Sequence, residues 1–388
     1  MILIFDFFET LLNNKSIDFN RGLKPMWEKY YQDKCSFDDI KAYGEELFQH
    51  LLSLHAEGKE FAFVREELPL YAKKYGGNVV PMTVEEEADF LMLCNDMELV
   101  PGIVSLLEYC KEKQIPMYVL SNSGFSGAAL TEVLERFGIG KYFSGLWSSA
   151  DYGRIKPCKE LFDMVIDAVL LQNPDKTKKD LLFVGDMYET DVKGASGAGI
   201  DVAWLNRKNE LDEIQLATYS ISGMKELQEI VDLKISGIDI QIMKNGHKYW
   251  NATADFAMNC SWRAGGYLTK LMYENAFAEE ERVLVALVDG NIAGFCTYAK
   301  KDELPEEYDF TPFIGFMFVD EKYRGNRLSE KLIQAACNHA AKEGVSKMYI
   351  MSGEIGLYEK YGFEFLGMYE TIYGTEDQLF VKEIRVGD

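Results

Sequence analysis

Closely paired cysteines are missing from this sequence. Its 7 cysteines are spread along 388 residues, and no two of them form a CxxC pair. An odd and scattered set is typical of reduced thiols, and it argues against a disulfide framework or a cysteine-rich zinc site. We therefore expect a protein of a reducing compartment, the cytoplasm.

A long apolar run and an excess of positive charge are also missing. The first apolar run, 2–5, has only the length of a strand, and no later run is long enough to span a bilayer. The 41 lysines and arginines are outnumbered by 63 aspartates and glutamates, and the net charge is -22. This charge disfavours non-specific binding to nucleic acid or to anionic lipid. We expect a soluble protein whose partners are small molecules and whose anionic ligands bind in local cationic pockets; the oligomeric state is left open.

The sequence does have enough residues for two domains, since 388 exceed what one hydrophobic core usually organises. In the first half, three short apolar runs each end in a polar residue: Asp6, Ser121 and Asp186. These runs alternate with amphipathic helical patterns, which predicts a doubly wound parallel sheet of the α/β class. Ligands of such sheets bind at the carboxyl ends of the strands, so we expect the three polar residues to converge there.

Helical stretches interrupt this alternation between Leu12 and about residue 97. They predict a helical insertion at 16–95, which we call the cap, and a core formed by 1–15 and 96–232. Strand hairpins dominate beyond about residue 236, so the first domain is predicted at 1–235 and the second at 236–388. A hairpin signal at 289–291 and a strand at 313–319 followed by a helix indicate an antiparallel sheet with helices, an α+β fold, for the second domain.

Three aspartates, Asp6, Asp186 and Asp191, are expected at one edge of the first sheet. Clustered carboxylates repel one another unless a cation joins them, and Mg²⁺ is a hard cation that prefers oxygen ligands and often serves phosphate sites. An aspartate in this position can act as a nucleophile. The groups that could bind a phosphoryl oxygen or neutralise its charge are Ser121, Asn122 and Lys156. Taken singly, such residues are more often helix caps and turns.

At these residues the sequence resembles the haloacid dehalogenase superfamily. The likeness lies in four motifs in this order: FDFFETL at 5–11, LSNS at 120–123, KP at 156–157 and GDMYETD at 185–191. The resemblance implies a Rossmann-like core with the helical cap, Asp6 as the nucleophile, and Ser121 and catalytic Lys156 as phosphoryl ligands. It also implies Mg²⁺ as the cofactor, with these ligands: Asp6, Asp186, Asp191 and the carbonyl oxygen of Phe8.

Phe8 departs from the pattern of the phosphatases in this superfamily. They have a second aspartate two residues after the nucleophile, which acts as general acid and base. Loss of such a group typically lowers the rate by about 10²- to 10⁴-fold. Glu9 is a candidate replacement, but on an extended segment its side chain points away from that of Phe8.

In the second half, the segment YRGNRLSEKL at 323–332 places the end of a strand and the start of a helix within a few residues. Free backbone N–H groups and the positive end of the helix dipole predict an anion cradle there. Cationic side chains are concentrated in this segment and directly before it: Lys322, Arg324, Arg327 and Lys331. Such a loop suits a pyrophosphate.

With the strand PFIGFMFVDEKYRG before it and the motif GLYEKYGFEFLG after it, this loop resembles the GNAT acetyltransferases over about 240–388. The resemblance implies that acetyl-CoA lies in a splay between the strand ending at Val319 and the strand at 347–351. Arg327 replaces the usual glycine. Its side chain either narrows the space in which the pyrophosphate approaches the backbone or adds a contact to phosphate. The residues implied to bind acetyl-CoA are Phe318, Val319, Arg324, Gly325, Asn326, Arg327, Leu328 and Ser329.

Tyr358 matches the position that protonates the departing CoA thiolate; the alternative is that Tyr358 and Tyr361 are core residues of an amphipathic helix. The base that deprotonates the amine is left open among Asp309, Asp320 and a water chain. The sequence thus predicts a bifunctional enzyme that joins a Mg²⁺-dependent, phosphatase-like hydrolase domain to an acetyl-CoA-dependent N-acetyltransferase of a small amine. The alternative is an acetyltransferase only, whose first domain is catalytically impaired and serves ligand binding or structure.

Overall fold

The structure of the protein is a computed structural model that describes residues 1–78, 82–212, 214–325 and 327–384. The chain divides into two compact units, Met1–Glu229 and Ile230–Asp388. The helix Met224–Ile235 spans this division. The domain boundary predicted after residue 235 stays a prediction. Within the described ranges, no helix is both long and apolar enough to cross a membrane.

The first unit contains a parallel sheet, a two-stranded ribbon and most of the helices. Its strands are β1 (Ile2–Phe5), β2 (Leu12–Ile17), β3 (Asn95–Leu99), β4 (Met117–Ser121), β5 (Gly145–Ser148), β6 (Leu181–Gly185), β7 (Asp201–Leu205) and β8 (Tyr219–Ile221). Its helices are α1 (Phe19–Tyr30), α2 (Phe37–Ala56), α3 (Leu68–Tyr75), α4 (Val84–Cys94), α5 (Ile103–Glu112), α6 (Gly127–Arg136), α7 (Ser149–Tyr152), α8 (Lys159–Gln172), α9 (Lys193–Gly197) and α10 (Met224–Ile235).

The described residues of this unit form a six-stranded sheet in the order β5-β4-β1-β6-β7-β8, with every neighbouring pair parallel. The apolar strands β1, β4 and β6 are buried along their whole length, as is usual for a parallel sheet with both faces covered. The predicted parallel sheet of the α/β class is therefore confirmed. Because β1 lies between β4 and β6, Asp6, Ser121 and Asp186 lie at adjacent strand ends.

The cap is inserted through a ribbon in which β2 and β3 pair antiparallel. Helices α1 to α4 lie between these two strands, inside the predicted range 16–95. The cap contacts the core beside the carboxyl end of β4: the Phe63 N–H donates to the Gly124 carbonyl at 2.7 Å. In the same region the Ser149 hydroxyl donates to the buried Glu60 carboxylate at 2.5 Å. These contacts hold the cap next to the strand ends.

The second unit contains a larger sheet and three helices among its described residues. Its strands are β9 (Ile238–Met243), β10 (Arg282–Val288), β11 (Asn291–Ala299), β12 (Phe313–Val319), β13 (Lys347–Ser352), β14 (Glu364–Glu370) and β15 (Glu376–Glu383). Its helices are α11 (Trp250–Asn259), α12 (Gly265–Tyr273) and α13 (Leu328–Lys342).

The sheet of the second unit has the order β14-β15-β13-β12-β11-β10-β9. Its neighbouring strands are antiparallel, apart from the parallel pair of β12 and β13. The sheet is thus mixed, whereas the hairpin pattern had indicated an antiparallel one. The parallel pair follows from the crossover through α13, since parallel neighbours need a long connection. Helix α13 packs in one apolar cluster and helices α11 and α12 in another, and the predicted α+β class is confirmed.

Candidate active sites

The carboxylate of Asp6 is buried directly after β1. Its backbone N–H donates to the Val184 carbonyl of β6 at 2.7 Å, which extends the sheet ladder by one residue. Its Oδ1 accepts a hydrogen bond from Lys156 Nζ at 2.5 Å, and the same ammonium donates to Asp191 Oδ1 at 2.7 Å. One buried lysine therefore joins two of the aspartates that the sequence placed in this site.

All three predicted carboxylates converge, because one oxygen each of Asp6, Asp186 and Asp191 lies within 4.8 Å of the other two. Gly185 permits this approach, since a Cβ there would overlap the Asp191 carboxylate. Burial raises the pKa of Asp6 to about 7 although Lys156 opposes the rise. Burial, with repulsion from Asp191, raises the pKa of Asp186 to about 6. Hard oxygen donors that repel one another at this spacing fit Mg²⁺.

Lys156 is held through its backbone as well as its side chain. The Asn122 Oδ1 accepts from the backbone N–H of Lys156 at 2.7 Å, and the Asn122 Nδ2 donates to the Lys156 carbonyl at 3.2 Å. The ammonium also donates to the Leu120 carbonyl at 3.2 Å. Burial opposes the charged form of Lys156, but Asp191 and Asp6 outweigh this effect and keep its pKa above the ordinary value. The site therefore has a fixed positive charge at its centre.

The two residues predicted to bind a phosphoryl group follow each other at the end of β4. The Ser121 hydroxyl is fully buried and donates to the Asn122 carbonyl at 3.3 Å, a long hydrogen bond. The side chain of Asn122 uses both its oxygen and its nitrogen on Lys156, so it positions the lysine, a role that the sequence analysis missed. A phosphate contact from Asn122 is left to its backbone N–H and stays a prediction, as does the contact from Ser121.

Phe8 is half-buried, and its ring packs edge-on against Phe7 with the centroids 4.8 Å apart. Glu9 has a φ of 56°, and its Oε1 accepts from the backbone N–H of Asn14 at 2.8 Å. The carbonyl of Glu9 accepts from Arg207 at 2.7 Å. The Glu9 carboxylate thus stabilises the turn into β2, which supports the expectation that it does not replace the missing acid. The Phe8 carbonyl as a metal ligand stays a prediction.

At the second predicted site, β12 and β13 pair at Phe313 and Tyr349, near their amino ends. Toward its carboxyl end β12 pairs with β11, where Val319 lies opposite Gly294. Phe316 has a φ of 46°, and the register with β11 shifts next to it, so β12 contains a bulge there. A bulge leaves backbone N–H groups without a partner in the neighbouring strand, so they are available to a ligand carbonyl.

The loop from β12 to α13 is the predicted anion cradle, and this role stays a prediction. Gly325 and Arg327 both have left-handed backbones, with φ of 86° and 56°. Arg327 thus adopts, at a position where the family pattern has glycine, a conformation that glycine tolerates better. The side chains of both loop arginines contact acids: Arg324 pairs with Glu321 at 3.1 Å, and Arg327 donates to Glu330 at 2.7 Å.

The other residues predicted to contact acetyl-CoA differ in what they expose. Asn326 lies outside the described residues. The side chains of Phe318 and Leu328 are buried in apolar clusters, so only their backbone groups can face a ligand. The Ser329 hydroxyl is hydrogen-bonded to the Tyr361 hydroxyl at 2.9 Å, which joins the start of α13 to the turn after β13.

Tyr358 begins a short 3₁₀ turn, Tyr358–Tyr361, and is buried. Its ring packs against Phe380 with the centroids 5.6 Å apart. Burial raises the pKa of Tyr358 to about 12, while a hydrogen bond with Ser352 at the end of β13 opposes the rise. Tyr358 is therefore a core residue that also keeps a protonated hydroxyl near the end of β13. The two alternatives, a core residue and a proton donor, are compatible for this tyrosine.

A carboxylate that the sequence analysis did not single out lies beside β12. Asp302 follows β11, and a Cβ at Gly315 would lie 3.2 Å from its Oδ2. Burial raises the pKa of Asp302 to about 7, and repulsion from Glu303 and Asp377 adds to the rise. Its charge also acts on Tyr358. An acid that can take up a proton near neutral pH thus lies within electrostatic range of the predicted proton donor.

The two acids that were considered as bases have other surroundings. The Asp320 side chain accepts from the Lys322 backbone N–H at 2.9 Å and begins a 3₁₀ turn. Asp309 is exposed in the loop between β11 and β12. A glycine inside a strand often marks a close approach by another group, so Gly315 was the signal that could have pointed to Asp302.

Comparison with known proteins matches the two units to two families. The model of the haloacid dehalogenase-like hydrolases matches residues 3–205, more than half of the chain. The model of the GNAT acetyltransferase family matches residues 250–363.

Three relatives show how far these similarities extend. The pyrimidine 5'-nucleotidase YjjG of Escherichia coli is 36% identical over 134 residues, which span 34% of this chain and 56% of that protein. The putative HAD-hydrolase YfnB of Bacillus subtilis is 26% identical over 238 residues, 60% of this chain and 95% of that protein. Its crystal structure, described as bound to magnesium, covers 60% of this chain and 98% of that chain with 25% identity and a TM-score of 0.39.

The third relative matches the second unit. The spermine/spermidine N(1)-acetyltransferase of Bacillus subtilis is 29% identical over 103 residues, 25% of this chain and 66% of that protein. The chain thus spans only part of the length of this enzyme and of the nucleotidase. The chain belongs to the haloacid dehalogenase-like hydrolases, and its second unit is a GNAT acetyltransferase domain fused to that hydrolase domain.

Proposed function

We propose that this protein is bifunctional, with an acetyl-CoA-dependent N-acetyltransferase of a small cationic amine in the second unit and a Mg²⁺-dependent phosphoryl site in the first. The main support for the acetyltransferase is Tyr358, whose hydroxyl is buried in the turn after β13 and kept protonated by a pKa of about 12. The partners in this proposal are small molecules. Free thiols at all seven cysteines support a reducing compartment such as the cytoplasm.

Acetyl-CoA supplies the acetyl group as an activated thioester, and the residues of the chain supply binding and proton transfer. Backbone N–H groups at the start of α13 bind the pyrophosphate, as helix N-termini bind anions. N–H groups of the bulged part of β12 polarise the acetyl carbonyl. Asp302 accepts a proton from the ammonium of the acceptor, whose nitrogen then forms the amide bond. Tyr358 donates its proton to sulfur as the carbon–sulfur bond breaks, and the second proton that the nitrogen loses on forming the amide replaces it on the Tyr358 oxygen.

The acceptor class follows from the charges beside this position. Asp302, Glu303 and Asp377 act on one another electrostatically, and repulsion from its neighbours raises the pKa of Asp302. A cationic amine would relieve this repulsion. Tyr267 and Tyr373, both largely exposed, also act on one another electrostatically, and aromatic faces attract cations. The similarity to a spermine/spermidine acetyltransferase supports polyamines as the first acceptors to test.

The test measures release of free CoA thiol from acetyl-CoA by the full chain with a panel of amines. We expect turnover with a di- or polyamine and a strong loss of kcat in Tyr358→Phe. Loss of a positioned acid typically costs about 10²- to 10⁴-fold. The matched control is Tyr298→Phe, another buried tyrosine of this unit, whose hydroxyl is hydrogen-bonded to Glu343 at 3.0 Å. Absence of amine-dependent thiol release across the panel would reject the proposed acetyltransferase.

In the first unit, Asp6, Asp186, Asp191 and the Phe8 carbonyl would hold Mg²⁺, which neutralises phosphate charge when bound. Ser121 and Lys156 would bind the phosphoryl oxygens, and Asp6 would attack phosphorus. The observation that supports this site is the convergence of the three carboxylates, two of which, those of Asp6 and Asp191, pair with the buried Lys156. The similarity to a pyrimidine 5'-nucleotidase supports pyrimidine nucleoside 5'-monophosphates as the first esters to test.

Metal binding and phosphate release test this second part. Calorimetric titration with Mg²⁺ should show binding that is lost in Asp186→Asn, and phosphate release from an ester should be lost in Asp6→Asn. If the wild-type protein binds no Mg²⁺ and forms no phosphorylated protein from any phosphate, the alternative applies, an acetyltransferase whose first domain is catalytically impaired.

A further inference from the structure

The surroundings of Asp6 favour attachment of a phosphoryl group. The Lys156 ammonium is buried and fixed by the Asp6 and Asp191 carboxylates and by the Leu120 carbonyl. Its positive charge attracts an incoming phosphate. The buried Ser121 hydroxyl makes a single long hydrogen bond, at 3.3 Å, which a phosphoryl oxygen can replace. A carboxylate held among such groups is able to act as a nucleophile.

Among the residues that the structure describes, the surroundings of Asp6 offer no suitable base for the water that would remove this phosphoryl group. The side chain of Phe8, two residues after Asp6, is a hydrocarbon packed on Phe7. The Glu9 carboxylate accepts the Asn14 N–H and belongs to the turn into β2. The other charged groups with large effects on the pKa of Asp6 in the described structure are Lys156, Asp191 and Asp186. Lys156 is a cation, and the two aspartates belong to the proposed Mg²⁺ site.

The two chemical steps therefore have different requirements. In the first, an oxygen of Asp6 bonds to phosphorus while the bond from phosphorus to the leaving oxygen breaks, and that oxygen keeps the electron pair. An acyl or aryl phosphate has a stable leaving anion, so this step needs no proton donor. In the second, water bonds to phosphorus, the Asp6 oxygen leaves, and a proton of the water must pass to a base. Loss of such a base slows a step by about 10²- to 10⁴-fold.

We propose that Asp6 forms a long-lived aspartyl phosphate with an activated phosphate donor, so that the first unit is a phosphorylatable module rather than a rapidly turning-over hydrolase. This inference rests on the proposed phosphoryl site. The donor class is an acyl or aryl phosphate, because unactivated esters need the acid that Phe8 does not provide.

The experiment incubates the full chain with Mg²⁺ and acetyl phosphate and follows both the intact protein mass and released phosphate. We expect the wild-type protein to gain the mass of one phosphoryl group and to lose it on treatment with hydroxylamine, which cleaves acyl phosphates. Asp6→Asn should gain no mass. Phe8→Asp should lose its label about 10²- to 10⁴-fold faster than the wild type after removal of donor, because the carboxylate can take the proton of water. Phe8→Asn is the matched control, similar in shape and polarity but unable to act as a base, and its label should persist.

The outcomes separate this inference from the proposed function on which it rests. A persistent label in wild type and Phe8→Asn, with fast loss in Phe8→Asp, supports the inference. Continuous phosphate release by the wild type without accumulated label overturns it, and so does equally fast loss in Phe8→Asn and Phe8→Asp. Label or turnover only in Phe8→Asp also overturns it, although the phosphoryl site would then be intact. No label and no turnover in any variant rejects the phosphoryl site itself.

Discussion

Replacing Lys156 by methionine tests the electrostatic balance of the first site. The ammonium is buried and lies 2.5 Å from Asp6 Oδ1 and 2.7 Å from Asp191 Oδ1. Methionine fills similar space but leaves both carboxylates without their cation. Removing one partner of a buried pair costs about 3–5 kcal/mol, because the remaining charge stays desolvated. Since one ammonium serves two acids here, we expect a loss near the upper end, a large part of a domain stability of about 5–15 kcal/mol.

The size of this loss should depend on pH and on Mg²⁺. Burial holds the pKa of Asp6 at about 7, above the ordinary 3.8, and Lys156 opposes the rise, so its removal raises this pKa further. A carboxyl with a raised pKa in the folded state binds its proton more tightly there. Its protonation therefore favours folding at low pH, and this contribution is lost as the pH rises through the folded pKa. We expect the deficit of Lys156→Met to shrink as the pH falls toward about 7, because the folded variant takes up this proton at a higher pH than the folded wild type does, and to change little below that pH. Mg²⁺ at about 100 times its Kd should restore about 2.7 kcal/mol.

Hydrogen exchange in increasing urea, read on peptides from β1 and β6, measures the stability of the first unit separately. The matched control is Lys159→Met, the same change at an exposed lysine that pairs with Asp163 on the next turn. Its cost should be less than about 0.5 kcal/mol, as for other exposed helical pairs. Equal losses in the two variants, or a Lys156→Met deficit that grows as the pH falls, would refute the reasoning.

Three further substitutions test the geometry of the two sites. Gly185→Ala places a Cβ against the Asp191 carboxylate at a cost of about 1–3 kcal/mol, so calorimetry should show Mg²⁺ binding at least about fivefold weaker. Gly197→Ala, with open space around its Cβ, should bind Mg²⁺ normally. In the wild type, kcat/KM should fall as the pH drops below about 7, because Asp302 becomes protonated there. Asp302→Asn should abolish this fall and raise the KM of the amine, and an unchanged pH profile would exclude Asp302 as the base. Arg327→Gly should leave the KM of acetyl-CoA unchanged or lower, because the guanidinium already pairs with Glu330 and the left-handed backbone suits glycine. A tenfold rise in this KM, about 1.4 kcal/mol, would show that the Arg327 side chain contacts phosphate.

The parts of the first site that the sequence predicts are those fixed by strand ends. Asp6, Ser121 and Asp186 each follow a buried apolar run, and the carboxyl ends of parallel strands share one edge of a sheet. The role of Asn122 was not predictable in this way. Its amide holds the backbone of Lys156 at a separation of 34 residues, and that contact depends on the path of a loop.

In the second unit, the class of the fold and the cationic loop follow from local patterns, whereas the acceptor side does not. The acidic loop after β11 is visible in the sequence, but only its folded path brings Asp302 against Gly315. Loop shape depends on contacts distant in sequence, so polarity alone predicts a solvated loop. Contacts distant in sequence also decide that the sheet is mixed. The parallel pairing of β12 with β13 depends on the path of α13, which connects the two strands.

The net charge of -22 predicts opposite salt effects for the two substrates of the second unit. A negative field repels acetyl-CoA and attracts a cationic amine, and its range falls from about 30 Å at 0.01 M salt to about 8 Å at 0.15 M. At the proposed CoA loop, Arg324 and Arg327 pair with Glu321 and Glu330, which offsets their local positive charge. Screening should therefore help the anion to bind and hinder the cation.

We accordingly expect the KM of acetyl-CoA to fall and the KM of the amine to rise as ionic strength increases over this range. Steady-state kinetics at low and high salt, with the other substrate saturating, measure both effects on the same preparation. A KM for acetyl-CoA that rises with salt would mean that the loop arginines leave their acidic partners and act on the phosphates directly. Arg327 would then contribute a side-chain contact to phosphate, rather than only narrow the space in which the pyrophosphate approaches the backbone. The KM of acetyl-CoA would in that case depend less on salt in Arg327→Gly than in the wild type.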